Sequence, residues 1–287
     1  MEILLQPLSF EFFQRAVWTA AVVGFTNGFL SGFVVMRRSA LMVGSLSHTL
    51  LPGIAVAILV AGLTTLTAFL GALVSALLVG LAAVFVARTS RIDSHSALAV
   101  LYTGAFAGGL LILDQIPTPV ELEHWLFGNI LALSDSDLSM SLAAAALILL
   151  TLIACGRPLL LYLFEPTIAE SQGVPVRQLG YLLTGLVILG LVVSIQAVGC
   201  ILSVAMLVAP ATAMLQFAKS PQALIWGGGL IGSVVSVAAI FFSYWLDLRV
   251  GAVIVLLLGG TVFLAYLLGF RHGALRLILR RQPTQHH

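Results

Sequence analysis

The stretch that decides the fold is residues 37–53, which read RRSALMVGSLSHTLLPG. It opens with two arginines, and because arginine is costly to leave in hydrocarbon they mark a membrane edge. The apolar run that follows contains His48. A histidine inside a spanning segment usually faces a polar pathway or a partner, because lipid offers its ring no hydrogen bond. Pro52 then frees a backbone carbonyl, which is tolerated where protein or a water-filled cavity can satisfy it. The stretch therefore predicts a spanning segment whose histidine faces a polar pathway or a partner.

The rest of the chain has the composition of a protein that crosses the membrane many times. Hydrophobic residues make up 60% and charged residues 8% of the 287, with a mean hydropathy of +1.13, far from the average of soluble domains. A helix needs about 20 apolar residues to cross a bilayer. That rule predicts nine candidate spans, at 16–36, 40–61, 64–87, 96–113, 138–155, 179–197, 200–217, 223–245 and 250–269.

The division between the sixth and seventh spans leaves the count open. A turn near residues 197–199 must separate two helices, whereas one long tilted helix plus a half-helix would give eight spans. The predicted fold class is therefore an all-α polytopic membrane protein, a bundle of eight or nine transmembrane helices. We expect one transmembrane domain over residues 1–287, with the bundle at about 15–270 and a basic tail at 271–287.

Glycines four apart, at 24/28/32, 104/108 and 228/232, allow helices to approach closely and predict a tightly packed bundle. Asn27 and Gln196, which also lie within spans, are expected to form hydrogen bonds between helices.

The positive charges are distributed unequally between the two sides of the nine-span arrangement. One side holds 11 of the 13 basic residues, at Arg37, Arg38, Arg88, Arg91, Arg157, Arg177, Lys219 and the tail arginines 271, 276, 280 and 281. Only Arg15 and Arg249 lie opposite. Because loops rich in lysine and arginine stay in the cytoplasm, the pattern predicts an outer N-terminus and a cytoplasmic C-terminus.

The opposite side is acidic and holds eight of the eleven acids. It is either an ordinary solvated surface or one that attracts cations or pairs with basic residues of a docking protein. The residues that would serve the second role are Glu121, Glu123, His124 and Asp247. A metal site shared by Glu121 and Glu123 is disfavoured, because positions two apart point to different sides of a helix.

Two segments are predicted to lie at the cytoplasmic face. Residues 165–175 have the pattern of a short helix, with proline in the first turn and Gly173 at the end. Residues 210–221 are expected to form a helix between two prolines that emerges from the membrane. Each is either a simple connector or a contact for a partner protein.

Several kinds of chemistry are missing from the sequence. Lys219 is the only lysine, and no phosphate-cradling loop precedes it, so the chain is not expected to hydrolyse ATP. Metalloprotease and serine-hydrolase motifs are also missing, as are basic patches interleaved with aromatic residues, which excludes nucleic acid as a partner. The remaining function class is transport.

Three stretches together resemble the membrane-spanning permease of bacterial ABC importers for zinc, manganese and iron. They are residues 33–53, residues 125–131 (WLFGNIL) and residues 198–213 (VGCILSVAMLVAPATA), and the resemblance extends from Gly28 to Gly260. It implies a fold like that of the vitamin-B12-importer permease and a multi-pass protein of the bacterial inner membrane. It also implies a homodimer surrounded by lipid, two cytoplasmic ATP-binding subunits and an extracytoplasmic metal-binding protein.

The resemblance also assigns roles to particular residues. The metal, with zinc favoured over manganese and iron, would pass between the permease subunits by alternating access, with no permanently bound cofactor and with ATP on the partner subunit. The metal pathway would include Ser45, Ser47 and His48. Coupling to the ATPase would fall mainly on the 210–221 segment and secondly on 165–175, through Pro210, Ala211, Thr212, Ala213, Gln216, Lys219, Ala169 and Gly173.

One departure from the family pattern concerns the metal. The family commonly has aspartate where this chain has Ser45. Ser45 and His48 are three apart and share a helix face, so the usual Asp/His pair is here a Ser/His pair. Neutral imidazole suits zinc or iron, whereas manganese prefers carboxylate oxygens. The alternative for His48 is a structural hydrogen bond within the packed bundle.

Three other functions compete with a metal-ion permease. A permease of the same architecture could carry a metal chelate such as a siderophore or cobalamin, through a wider pathway without fixed ligands. An intramembrane enzyme would be active without an ATPase, although no catalytic constellation supports it. A channel or secondary transporter would import without the ATPase.

Overall fold

The fold is a bundle of α-helices. The computed structural model describes residues 9–62, 64–113, 135–198 and 200–269, and within these ranges it contains helices and no strand. This is expected for apolar segments in lipid, where a helix satisfies its own backbone hydrogen bonds. The helices are α1 Glu11–Met36, α2 Ala40–Ser47, α3 Leu50–Ala61, α4 Thr65–Thr89, α5 Ser94–Leu113, α6 Asp135–Ala154, α7 Gly156–Phe164, α8 Pro166–Ser171, α9 Val176–Val198, α10 Cys200–Met214, α11 Pro221–Leu246 and α12 Val250–Leu268.

Eight spans in the described ranges are long and apolar enough to cross a membrane, and α2 and α3 together form one of them. The predicted division after α9 is confirmed, because α9 ends at Val198 and α10 begins at Cys200. However, α10 has only 15 residues, about 22 Å at 1.5 Å per residue, which is short of the ~30 Å of hydrocarbon. The seventh predicted span, 200–217, is therefore a shorter apolar helix.

Glycines bring α1 and α11 into backbone contact. A Cβ placed on Gly28 would lie 2.3 Å from the carbonyl oxygen of Gly228, and one on Gly24 would lie 2.5 Å from that of Gly232. The later glycine of α1, Gly28, meets the earlier glycine of α11, Gly228, whereas Gly24 meets Gly232. The two helices are therefore antiparallel. The close approach predicted from glycines spaced four apart is confirmed for this pair.

The span formed by α2 and α3 also packs closely on its neighbours at glycines. A Cβ on Gly53 of α3 would lie 2.0 Å from the carbonyl oxygen of Gly71 on α4, and one on Gly109 of α5 would lie 2.6 Å from the Cα of Pro52. In contrast, Gly104 and Gly108 of α5 have no atom within 4 Å of such a Cβ in the described part of the chain. The close packing predicted for these two glycines is therefore not found among the described residues.

The two ends of the bundle differ in charge as predicted. The antiparallel pairing places the end of α1 beside the start of α11, and a hydrogen bond from Arg37 to Thr184 places it beside the start of α9. We call this end, where Arg37, Arg88 and Lys219 lie, the arginine-rich end. At the other end Arg15 forms an ion pair of 3.1 Å with Asp135.

The helix expected between Pro210 and Pro221 is not present. Pro210 lies inside α10, which ends at Met214, and α11 begins at Pro221. Proline has no N–H for the α10 ladder, and at the next residue α1 contributes an acceptor: the N–H of Ala211 donates to Ser31 Oγ at 3.1 Å. A neighbouring helix thus satisfies the backbone where the α10 ladder is interrupted.

We expect Ser31→Ala to destabilise the bundle by about 1–3 kcal/mol, because the buried Ala211 N–H would lose its acceptor. The measurement is the free energy of unfolding of the purified protein in detergent. The matched control is Thr212→Val, which removes a hydroxyl that donates within its own helix to Val208. Equal losses in the two variants would contradict the assignment.

Candidate metal pathway

His48 lies at the break between α2 and α3, eight residues into the span that begins at Ala40. At 1.5 Å per residue this is about 12 Å from the arginine-rich end. The helix is interrupted here because Pro52 has no N–H to donate to the carbonyl of His48. The neighbouring carbonyl of Thr49 accepts a hydrogen bond of 2.7 Å from Ser75 Oγ on α4. A side chain of α4 therefore bonds the backbone next to the break.

The imidazole of His48 is held between two aromatic rings of α5 and is otherwise exposed. It stacks on Tyr102 with ring centroids 6.0 Å apart and meets Phe106 edge-on at 5.8 Å. Positions 102 and 106 share a helix face. This contact was not predicted from the sequence. Two aromatic residues four apart on one span are the signal that could have suggested it.

The two predicted serines are placed differently. Ser45 is partly exposed and its hydroxyl donates to the carbonyl of Leu41 at 3.1 Å, which leaves its oxygen able to accept or to ligate. Ser47 is 3% exposed, and its hydroxyl donates to the carbonyl of Gly44 at 2.7 Å. Ser45 therefore remains a candidate beside His48, whereas Ser47 is turned into the bundle.

The described residues contain no group of three or more histidine, cysteine or acidic side chains that could hold a metal ion. Of the predicted outer-face residues, Glu121, Glu123 and His124 lie outside the described ranges. Asp247 is exposed in the turn between α11 and α12, where its φ of 51° is left-handed. Of the predicted pathway residues, His48 and Ser45 therefore remain as candidate ligands.

The predicted coupling residues divide into a buried and an exposed set. Pro210, Ala211 and Ala213 are buried within α10, so they do not present a surface. The 165–175 segment does form the predicted short helix, α8, which Gly173 ends with a φ of 77°. In α8 the predicted residue Ala169 is buried, while Ile168 beside it is 46% exposed.

Of the remaining predicted coupling residues, Thr212 lies in α10, and Gln216 and Lys219 follow that helix. Thr212 and Gln216 are partly buried, and Lys219 is exposed just before α11. Exposed apolar side chains lie in both segments: Ile168 in α8, and Leu215 (50% exposed) and Phe217 (38% exposed) after α10.

Another polar residue within a span has the structural role that was expected. The amide nitrogen of Asn27 on α1 donates to Ser194 Oγ on α9. Both residues are buried, and the bond joins two spans as interhelical hydrogen bonds do in membranes. The side chain of Gln196, which was expected to behave likewise, lies outside the described part.

Comparison with known proteins gives consistent matches over nearly the whole chain. Residues 9–269 match the model of the ABC 3 transport family. The chain is 37% identical over 272 residues to the manganese transport system membrane protein MntC of Halalkalibacterium halodurans, covering 94% of this chain and 91% of that protein. It is 32% identical to the chelated iron transport system membrane protein YfeD of Yersinia pestis, with 89% and 84% covered. Among solved structures, PsaBC from Streptococcus pneumoniae in complex with Fab matches with a TM-score of 0.83 and 32% identity, with 96% of this chain and 97% of that chain covered.

Proposed function

Because the chain belongs to the ABC 3 transport family, we propose that it is the membrane-spanning permease of an ATP-driven importer of a divalent transition metal ion. The observation that carries the proposal is His48, an exposed imidazole about 12 Å into a spanning segment. Such a group requires a polar pathway or a partner. A second copy of the chain would enclose that pathway, and metal would cross it by alternating access.

Two arguments bear on which metal is carried, and iron is the metal that both of them favour. The relatives reported above are named for manganese and for chelated iron. The donor chemistry of His48 and Ser45, without a carboxylate, favours zinc or iron over manganese. We therefore propose divalent iron first. Zinc, which the sequence favoured, stays a prediction, and a metal chelate is the second candidate because YfeD is named for chelated iron.

The partners follow from the charge distribution. The arginine-rich end would face the cytoplasm by the positive-inside rule and contact the ATP-binding subunits. The opposite end, with Asp247 and the segment of Glu121, Glu123 and His124, would receive an extracytoplasmic metal-binding protein. ATP hydrolysis would occur on the ATP-binding subunits alone, and this chain would have no catalytic role.

The experiment that tests the function measures cellular metal by elemental mass spectrometry. Cells express the chain with or without its ATP-binding subunit in medium containing equal iron, manganese and zinc. Accumulation of one metal only when both proteins are present supports the proposal. Accumulation without the ATP-binding subunit would indicate a channel or secondary transporter. Uptake of iron only when it is supplied as a chelate would favour the second candidate.

We expect Ile168→Glu to reduce ATP-driven accumulation and recovery of the ATP-binding subunit with the permease on the order of tenfold, because it places a charge in an apolar contact that would be desolvated on docking. The readouts are metal accumulation and copurification of the ATP-binding subunit. The matched control is Ile92→Glu, at a residue that is 48% exposed at the same end of the bundle. If both variants behave alike, α8 is not the docking element.

A further inference from the structure

An apolar groove runs along the outside of the bundle between α4 and α9. It has a volume of about 540 Å³ and is lined by Leu77, Leu78, Leu81, Ala82, Phe85 and Tyr181. Leu78 and Phe85 are well exposed, so the groove opens on the surface that faces lipid in a single chain. From position 77 to 85 it extends about 12 Å along the helix. An acyl chain could lie in such a groove.

A guanidinium lies at the arginine-rich end of this groove. Arg88 follows Phe85 by one helical turn, and its guanidinium carbon is 5.2 Å from the centre of the Tyr181 ring. The absence of a side chain at Gly180 makes room for it: a Cβ there would lie 2.6 Å from Arg88 Nη2 and 3.2 Å from Tyr162 Oη. The guanidinium of Arg88 and the hydroxyl of Tyr162 thus both lie against the backbone of α9 at Gly180.

A second guanidinium, that of Arg37, lies against the same part of α9. Arg37 is partly buried and donates to Thr184 Oγ1 at 3.0 Å, one turn beyond Gly180 on α9. Burial lowers the pKa of Arg37, and the neighbouring charge of Arg88 lowers it further, whereas Tyr162 raises it. In the described ranges, no carboxylate lies within 4.0 Å of either guanidinium. Two like charges therefore share this site without an anion of the protein.

We propose that the groove between α4 and α9, together with Arg37 and Arg88, binds one anionic phospholipid. The phosphate accepts hydrogen bonds from the guanidinium groups, whose planar fork matches phosphate geometry, and one acyl chain lies in the groove. A phosphate at this position neutralises two repelling charges and ties α1 to α4 and α9. The groove favours a lipid over a carboxylate of a soluble partner, because it extends into the apolar part of the bundle.

Native mass spectrometry of the full-length chain tests this proposal. The purified protein in detergent is titrated with phosphatidylglycerol or phosphatidylcholine of identical acyl chains. We expect one phosphatidylglycerol to be retained in preference to phosphatidylcholine, and Arg88→Gln to weaken its binding about fivefold, which corresponds to ~1 kcal/mol per arginine near a membrane surface. The control is Arg91→Gln, an exposed arginine beyond the end of α4, which should retain the preference.

A second variant tests the groove separately from the charges. Ala82→Phe fills the groove and keeps both arginines, so it should also lose the bound phosphatidylglycerol. Three results would overturn the proposal: equal retention of the two lipids by the unaltered chain, equal losses in Arg88→Gln and Arg91→Gln, or full displacement of the lipid by inorganic phosphate. The measurement involves neither transport nor an ATP-binding subunit, so its outcome is independent of the proposed function.

Discussion

Cells expressing His48→Ala with the ATP-binding subunit are expected to accumulate at least about tenfold less metal than cells expressing the unaltered chain, the scale of losses when groups of a metal site are removed. The physical reason is that His48 supplies the imidazole donor near the break between α2 and α3, where the other candidate donor is the hydroxyl of Ser45. Elemental mass spectrometry measures the loss, and size-exclusion chromatography verifies that the variant assembles.

Two further variants show whether His48 binds the metal or only packs against its aromatic neighbours. His48→Phe keeps a ring that can pack on Tyr102 and Phe106 but has no nitrogen donor. It should lose accumulation as His48→Ala does if His48 is a ligand, and keep it if the ring only packs. His95→Ala replaces an exposed histidine at the start of α5 and should accumulate metal normally. Normal accumulation by His48→Phe would place His48 off the metal path.

Features that depend on local composition could be predicted from the sequence. The cost of burying arginine placed the end of α1 correctly, because Arg37 and Arg38 follow Met36, where the helix ends. The glycine spacing in α1 and α11 predicted close helix packing, because small residues let backbones approach closely, but it did not predict that these two helices would pair. The short helix α8 could be predicted because proline and glycine mark its two ends.

Features that depend on which helices meet could not be predicted from the sequence. Pro210 was taken as a helix boundary, but α10 continues through it, and Ser31 of α1 accepts a hydrogen bond from the next backbone N–H, that of Ala211. The sequence contains no sign that positions 31 and 211 are neighbours. Similarly, Gly104 and Gly108 have the same spacing as the glycines of α1, yet no described helix packs on them.

The sequence alone could single out the central residue of the candidate site, His48, but not the residues around it. His48 stood out because a histidine is rare in a span, and the structure places it, exposed, between α2 and α3. Its aromatic neighbours belong to α5, roughly 55 residues away along the chain, so no local pattern connects them. Ser47 was grouped with Ser45 because both precede His48, but two residues apart on a helix they point in different directions.

Gly28→Ala is expected to destabilise the bundle by about 2–3 kcal/mol, the upper part of the range for overpacking a core. The added Cβ would lie 2.3 Å from the carbonyl oxygen of Gly228 and 3.1 Å from the Cα of Gly229. These are backbone atoms of a helix, which cannot rotate away as a side chain can. To accept the methyl group, α1 and α11 must separate, and the contacts between Gly24 and Gly232 are then loosened as well. The measurement is the free energy of unfolding in detergent.

Gly44→Ala is the matched control, since a Cβ at Gly44 in α2 would have no neighbour within 4 Å in the described part of the chain. There alanine should be neutral or stabilising by about 0.5–1 kcal/mol, because glycine weakens a helix interior. The same chemical change thus has opposite signs at two helical glycines, according to what lies opposite. If Gly28→Ala were as stable as Gly44→Ala, α1 and α11 would not be in backbone contact, and the pairing that aligns the two ends of the bundle would be wrong.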